Sequence, residues 1–287
     1  MTSDRSRPFN YGRDQVISYP VTVGNIRTRV VESHGGSTPL VCLHGVGSRA
    51  DRFIPAIPGL VARGFKVYAI DFPGHGFADK DSRIDYRPRG FAEFIAGVLD
   101  ELELSDVIIA GTSLGGHVGA RMACDRPDLV AGLVLIGTMG IASLNESDMV
   151  PPENVANGSE SAIRSKLGFL VSDPEKVTDS WVREESKINS STGAHQALLA
   201  AAGYVNFEAN ADIQGERLAA ERPNLPIQIV WGTEDRWTPL EMGRRAKEVL
   251  PNAQFVEMEG CGHAPYFESP VEFANILSHF FKKESVR

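Results

Sequence analysis

Five short, almost wholly apolar runs constrain this chain more than any other feature: residues 39–43, 66–70, 106–110, 133–136 and 227–231. A strand with apolar side chains on both faces has to be covered on both, which is the situation of an inner strand in a parallel sheet. Between the first four runs lie segments of helical period at 50–63, 88–103 and 114–125. After the fifth come a helical segment at 240–250, a strand at 254–257 and a helix at 271–281. This alternation predicts an α/β fold, a mostly parallel central sheet with helices on both sides. Ahead of it, residues 15–23 and 25–32 alternate apolar and polar side chains, as half-buried strands do.

The rhythm breaks once. From 139 to 222 there is no strand-like run, only helix-like patches at 161–171, 180–188 and 194–205, separated by Pro-Pro, Asn-Gly and Ser-Ser-Thr-Gly breakers. The expectation is a helical insertion after the fourth parallel strand, large enough to roof the C-terminal edge of the sheet. The core would comprise 1–138 and 223–287, and the cap 139–222.

Composition removes several functions. With 37 acidic and 29 basic residues the formal net charge is −8, and no Lys/Arg stripe offsets it, so nucleic acid is not expected as a partner. No stretch approaches the roughly eighteen apolar residues of a membrane helix. Residues 1–8 carry charge with no apolar run behind them, so no signal peptide is expected. Cys42, Cys124 and Cys261 are odd in number and widely spaced, which is neither a disulfide framework nor a zinc ligand set. Reduced thiols and a cytoplasmic location are the expectation, with no metal.

The sharpest local signal is Gly111-Thr112-Ser113-Leu114-Gly115-Gly116, directly after one apolar run and opening a helical segment. A serine in a strained strand-to-helix turn lifts its oxygen out of the sheet, and flanking glycines let strand and helix approach. A dinucleotide reading fails, because Ser113 stands where the second glycine would be, and no Gly-Lys-Ser/Thr occurs anywhere. Serine is a poor nucleophile at neutral pH and needs a base held by an acid. Asp235 follows the run 227–231 and His263 follows the strand 254–257, both at strand ends where open α/β sheets build their sites. Glu234 is the rival acid. His34, His75, His117, His195 and His279 are weaker candidates for the base. Trp237, Phe72 and Met139 also follow strand ends and are candidates for an apolar pocket wall.

Taken in order, His44-Gly45, Asp71-Phe72-Pro73-Gly74-His75-Gly76, the Ser113 turn, Gly232-Thr233-Glu234-Asp235 and Gly262-His263-Ala264-Pro265 resemble the α/β-hydrolase superfamily over about residues 25–282. The resemblance implies a Ser113–Asp235–His263 triad, an α/β-hydrolase fold with a helical cap after the sixth strand, and no cofactor. It also implies an oxyanion hole from the Val46 and Leu114 N–H groups, with His44 holding its loop by a hydrogen bond. Haloalkane dehalogenases and epoxide hydrolases of this fold carry aspartate where Ser113 stands, which excludes their chemistry.

Within the superfamily the segment 161–202 looks like the cap of hydrolases acting on meta-cleavage products, acidic dienones cleaved at a carbon–carbon bond. Two departures stand against that activity: Ala264 replaces a tryptophan, and Glu185 falls where an arginine holds a substrate carboxylate. Between Met139 and Arg222 there are 13 acidic and 7 basic residues, so the negative charge concentrates in the insertion. The expected function is hydrolysis of a small neutral carboxylic ester or lactone through an acyl-enzyme. The alternatives are carbon–carbon hydrolysis, and a ligand receptor that retains the triad. Helix faces that could line a pocket or a dimer seam leave a homodimer open.

Overall fold

All the expected apolar runs become strands, and alternation within them assigns each side chain to one face of the sheet. The computed structural model describes residues 16–145 and 151–284; residue 15 and the segment 1–8 discussed above lie outside them. In chain order the core begins with β1 (Val16–Val23), β2 (Ile26–Ser33), β3 (Thr38–Leu43), a 3-10 helix (Ala50–Ala56) and α1 (Ile57–Val61). It continues with β4 (Phe65–Ile70), α2 (Pro88–Glu101), β5 (Val107–Thr112), α3 (Leu114–Asp125) and β6 (Val130–Ile136). Among the described residues five α-helices follow before the sheet resumes: α4 (Pro152–Ala156), α5 (Glu160–Leu170), α6 (Asp179–Asn189), α7 (Ala194–Phe207) and α8 (Gly215–Glu221). The chain returns through β7 (Ile227–Gly232), α9 (Leu240–Val249), β8 (Gln254–Met258), α10 (Pro265–Glu268) and α11 (Pro270–Glu284).

The eight strands form one sheet in the order β1-β2-β4-β3-β5-β6-β7-β8. Only the pairings of β2, with β1 and with β4, are antiparallel. From β4 to β8 every pairing is parallel, so the ends of β3, β5, β7 and β8 share one edge.

The period of two is visible in the cores. Val41, Leu43 and Ile109 face one apolar layer with α2, α3 and α9; Leu40, Cys42 and Ile108 face the other, with Phe53, Ile57, Leu60, Phe273 and Leu277. Helix α2 buries Phe91, Ile95, Val98 and Leu99 along one stripe. Each such side chain contributes about 1.5–3 kcal/mol on burial. The insertion has a small core of its own, in which Ile163, Leu167, Val171, Val177 and Val182 pack together.

The structure differs from the expected helices in two ways. Residues 50–63 are not one helix but a 3-10 turn and a short α-helix, because Pro55 and Pro58 each remove a backbone donor from the ladder. Conversely, the Pro-Pro step at 151–152, expected to break structure, starts α4 with proline in its first turn, where a missing N–H is harmless. No helix among the described residues is long and apolar enough to cross a membrane.

Candidate active site

Ser113 sits at φ 54°, ψ −116° between β5 and α3, one of the few non-glycine residues with positive φ. The turn is this tight because backbone meets backbone around it. A Cβ on Gly111 would lie 2.2 Å from the Gly115 carbonyl oxygen, and one on Gly115 would lie 2.3 Å from the Leu43 oxygen. Gly45 packs against the serine itself, where an added Cβ would be 3.2 Å from Ser113 Cβ. The glycine spacing of the motif is thus a steric requirement of the fold.

Asp235 and His263 come together as expected. His263 Nδ1 lies 2.8 Å from Asp235 Oδ2, and both side chains are buried. The other carboxylate oxygen accepts the Trp237 and Thr238 N–H groups at 2.9 and 2.8 Å, an Asx-type turn that fixes the carboxylate plane. Thr238 Oγ1 adds contacts to Asp235 Oδ2 at 2.9 Å and to the Gly137 oxygen at 3.1 Å. The rival Glu234 is exposed. Thr238 was missed from sequence, although an Asp followed three residues later by Thr is a readable turn signal. Ser113 and His263 line the same cavity; among the described residues Ser113 Oγ makes no hydrogen bond, so the serine–imidazole contact is not closed.

His44 holds its loop in the expected manner. The Phe72 N–H donates to Nε2 at 3.0 Å, so Nδ1 carries the proton and donates to the Gly45 oxygen at 2.8 Å. Burial pushes its pKa down to about 4, and that of the neighbouring His75 to about 3, so both are neutral near pH 7. Val46 reaches the cavity wall, and Leu114 is the first residue of α3. Among the described residues neither of their N–H groups donates to another protein atom.

The cavity encloses about 120 Å³ beneath α5, α6 and α7. Met139 and Trp237 line it as expected, with Val155, Ile163, Leu167 and Leu170. Phe72 does not: it is fully buried, its ring 4.9 Å from both His44 and Phe91. Following a strand end placed it at the right edge, but its side chain turns into the core.

Three charged side chains from outside the Asp235–His263 pair also line the cavity: Arg52, Lys166 and Glu185. Glu185 is not a free carboxylate. Arg52 Nη2 lies 2.6 Å from its Oε2, Arg49 shares the same oxygen, and the Arg52 guanidinium stacks 4.4 Å over Trp181. Glu185, which stands where the resemblance places a carboxylate-holding arginine, is thus itself held by two arginines. Arg52 Nε is buried without a partner, as is Ser48 Oγ on the same wall. Lys166 Nζ donates to the Val155 oxygen at 2.7 Å, and burial lowers its pKa to about 8 against the pull of Glu185. All three cysteines are buried and free, and no cluster of metal-ligating side chains occurs among the described residues.

The sequence matches the family described as the alpha/beta hydrolase fold over residues 38–270, and the chain belongs to that family. A 2-hydroxy-6-oxononadienedioate/2-hydroxy-6-oxononatrienedioate hydrolase of Cupriavidus pinatubonensis is 28% identical over 259 residues, covering 87% of this chain and 88% of that protein. The meta-cleavage product hydrolase of Pseudomonas fluorescens IP01 superposes with a TM-score of 0.81 at 22% identity, covering 93% of this chain and 98% of that one. A membrane phospholipase A, described as a bacterial virulence factor, gives 0.79 at 25% identity over 95% of this chain and 87% of that one. Family and relatives together make this chain a hydrolase of the α/β-hydrolase fold.

Proposed function

We propose that the protein is a serine hydrolase of small carboxylic esters or lactones, with Ser113, Asp235 and His263 as its triad and the helices between β6 and β7 as its cap. The observation that carries this reading is the buried Asp235–His263 hydrogen bond of 2.8 Å opening onto the cavity that Ser113 lines. Ser113 Oγ attacks the carbonyl carbon while His263 Nε2 takes its proton; Asp235 holds Nδ1–H and balances the imidazolium. The Val46 and Leu114 N–H groups receive the negative oxygen of the tetrahedral intermediate. Collapse expels the alcohol with the proton from His263, and a water activated by the same imidazole releases the acid. Ser113→Ala should reduce hydrolysis of p-nitrophenyl acetate to background with the thermal transition unchanged; turnover retained in that variant would overturn the assignment.

The cavity wall bears on the substrate. The Lys166 ammonium and the Ser48 hydroxyl on the cavity wall favour a substrate that carries a carboxylate, rather than the neutral one expected from sequence. The same groups support a second reading, carbon–carbon hydrolysis of an acidic dienone, the type of substrate in the name of the Cupriavidus relative. Ala264 in place of tryptophan stands against it. Relative kcat/KM on a vinylogous diketone acid and on a half-ester of a dicarboxylic acid separates the two.

A further inference from the structure

The C-terminal turn of α5 closes with one backbone bond of its own, from the Val171 N–H to the Leu167 oxygen at 3.3 Å. The last carbonyls of any helix lack intrahelical partners, and α5 is followed by Val171 rather than glycine, with no basic residue in its last turn. Its remaining partners come from the two loops that carry the acid and the base. His263 donates its backbone N–H to the Leu170 oxygen at 2.9 Å. Arg236, next after Asp235, donates to the Val171 oxygen at 2.7 Å and also to that of Gly168. Trp237 Nε1 reaches the Lys166 oxygen at 3.4 Å.

Glu268, the last residue of α10, completes the seam. Its Oε1 accepts the Gly262 N–H at 2.7 Å, and its Oε2 accepts both the N–H and the hydroxyl of Ser172 at 2.7 Å. Gly262 lies so close to the end of α5 that an added Cβ would be 2.8 Å from the Leu170 oxygen and from the Ser172 nitrogen. The backbone bearing His263 is therefore seated directly on α5, and one carboxylate bridges the two.

We propose that Glu268 is a positioning residue for His263, and that α5 is the fixed side of the cap, the seat that sets where the imidazole stands. This rests on His263 being the base, but the two ideas fail differently: His263→Ala tests the base, and Glu268 variants test the seat. The carboxylate holds Gly262 and Ser172 together; without it, the loop can drift relative to the serine while Asp235, Ser113 and the pocket stay in place. A displacement of about 1 Å is enough to lower a rate some hundredfold.

The test uses Glu268→Ala, Glu268→Gln and Ser172→Ala in the full chain, with p-nitrophenyl acetate as substrate. Glu268→Ala should lower kcat about 10- to 100-fold with KM within about twofold. Glu268→Gln keeps one acceptor oxygen but turns its amide NH2 toward the other backbone N–H, so it should break the bridge and lose activity as Glu268→Ala does. Ser172→Ala, which keeps the carboxylate, should show a smaller fall in the same direction. A charge effect on the imidazole would leave Ser172→Ala at the wild-type rate, so an unchanged kcat in that variant, or a near-normal kcat in Glu268→Gln, would overturn the proposal. So would an unchanged kcat in Glu268→Ala, or a change confined to KM. The low-field proton resonance of the Asp235–His263 hydrogen bond supplies a second readout: it should broaden in Glu268→Ala and Glu268→Gln and less so in Ser172→Ala, and a sharp, unshifted signal in Glu268→Ala would also overturn the seat. If Glu268→Ala does not fold, Ser172→Ala alone decides, through the same kcat and resonance.

Discussion

At Gly137 the backbone turns left-handed, φ 49°, beneath the Asp235–His263 pair, and an added Cβ would lie 2.9 Å from His263 Nδ1 and 3.0 Å from Asp235 Oδ2. On the proposed mechanism, Gly137→Ala should therefore lower kcat about 100-fold by displacing Asp235 and His263 together. Its own backbone strain adds a stability loss of roughly 1 kcal/mol. Steady-state kinetics with a thermal melt distinguishes this from global unfolding, and a full kcat would contradict it. Ser113, Asp235 and His263 could be placed at the edge of the sheet from sequence because each follows a strand-like run, and a strand end is visible in the residues. Phe72 follows one too. Position after a strand specifies an edge of the sheet, not the direction in which a side chain turns. Gly137 was not legible, since its constraint comes from groups about a hundred residues further along the chain.

Among the elements, α6 is joined to the loop after β3 by charges out of water. Glu185 pairs with Arg49 and Arg52, all three side chains at most 5% exposed, while Glu184 reaches Arg49 at 2.9 Å. Removing one member of a buried ionic cluster leaves its partners uncompensated, so Glu185→Ala should destabilise the protein by about 3–5 kcal/mol. Urea unfolding measures this; a loss below about 1 kcal/mol would show that water already screens the cluster. Every strand and the long helices could be predicted from periodicity. The short helices α4, α8 and α10 could not, having too few turns for a period to register. The partners of α5 were equally hidden, because a helix end completed by distant loops leaves no local signal.

For the molecule as a whole, the excess of acid in the insertion proves partly a matter of fit. Glu184, Glu185 and Asp212 meet Arg49, Arg52 and Arg121 of the core, so opposite charges face each other across the seam. Net charge could be counted from sequence, but its pairing required the packing. Proton balance is a second global property. His44, His75 and His117 are fully buried with pKa values lowered by desolvation, to about 4 and about 3 for the first two. The unfolded chain binds protons at these sites below about 6.5, and the native chain does not. Stability is thus complete above pH 6.5 and falls as pH drops, approaching about 1.4 kcal/mol per pH unit for each histidine until its folded pKa is passed. Denaturation midpoints at pH 7.5, 6.5 and 5.5, where carboxylates stay ionised, should show the decline; a flat series would refute it. The steric closure around Ser113 also bears on descent. No Cβ fits at Gly111 or Gly115, so inherited variation at this turn falls on residues 112, 113 and 114. On the proposed mechanism, a different nucleophile arising at residue 113 would acquire Asp235, His263 and the amide donors ready-made, and new chemistry would lie a single mutation away.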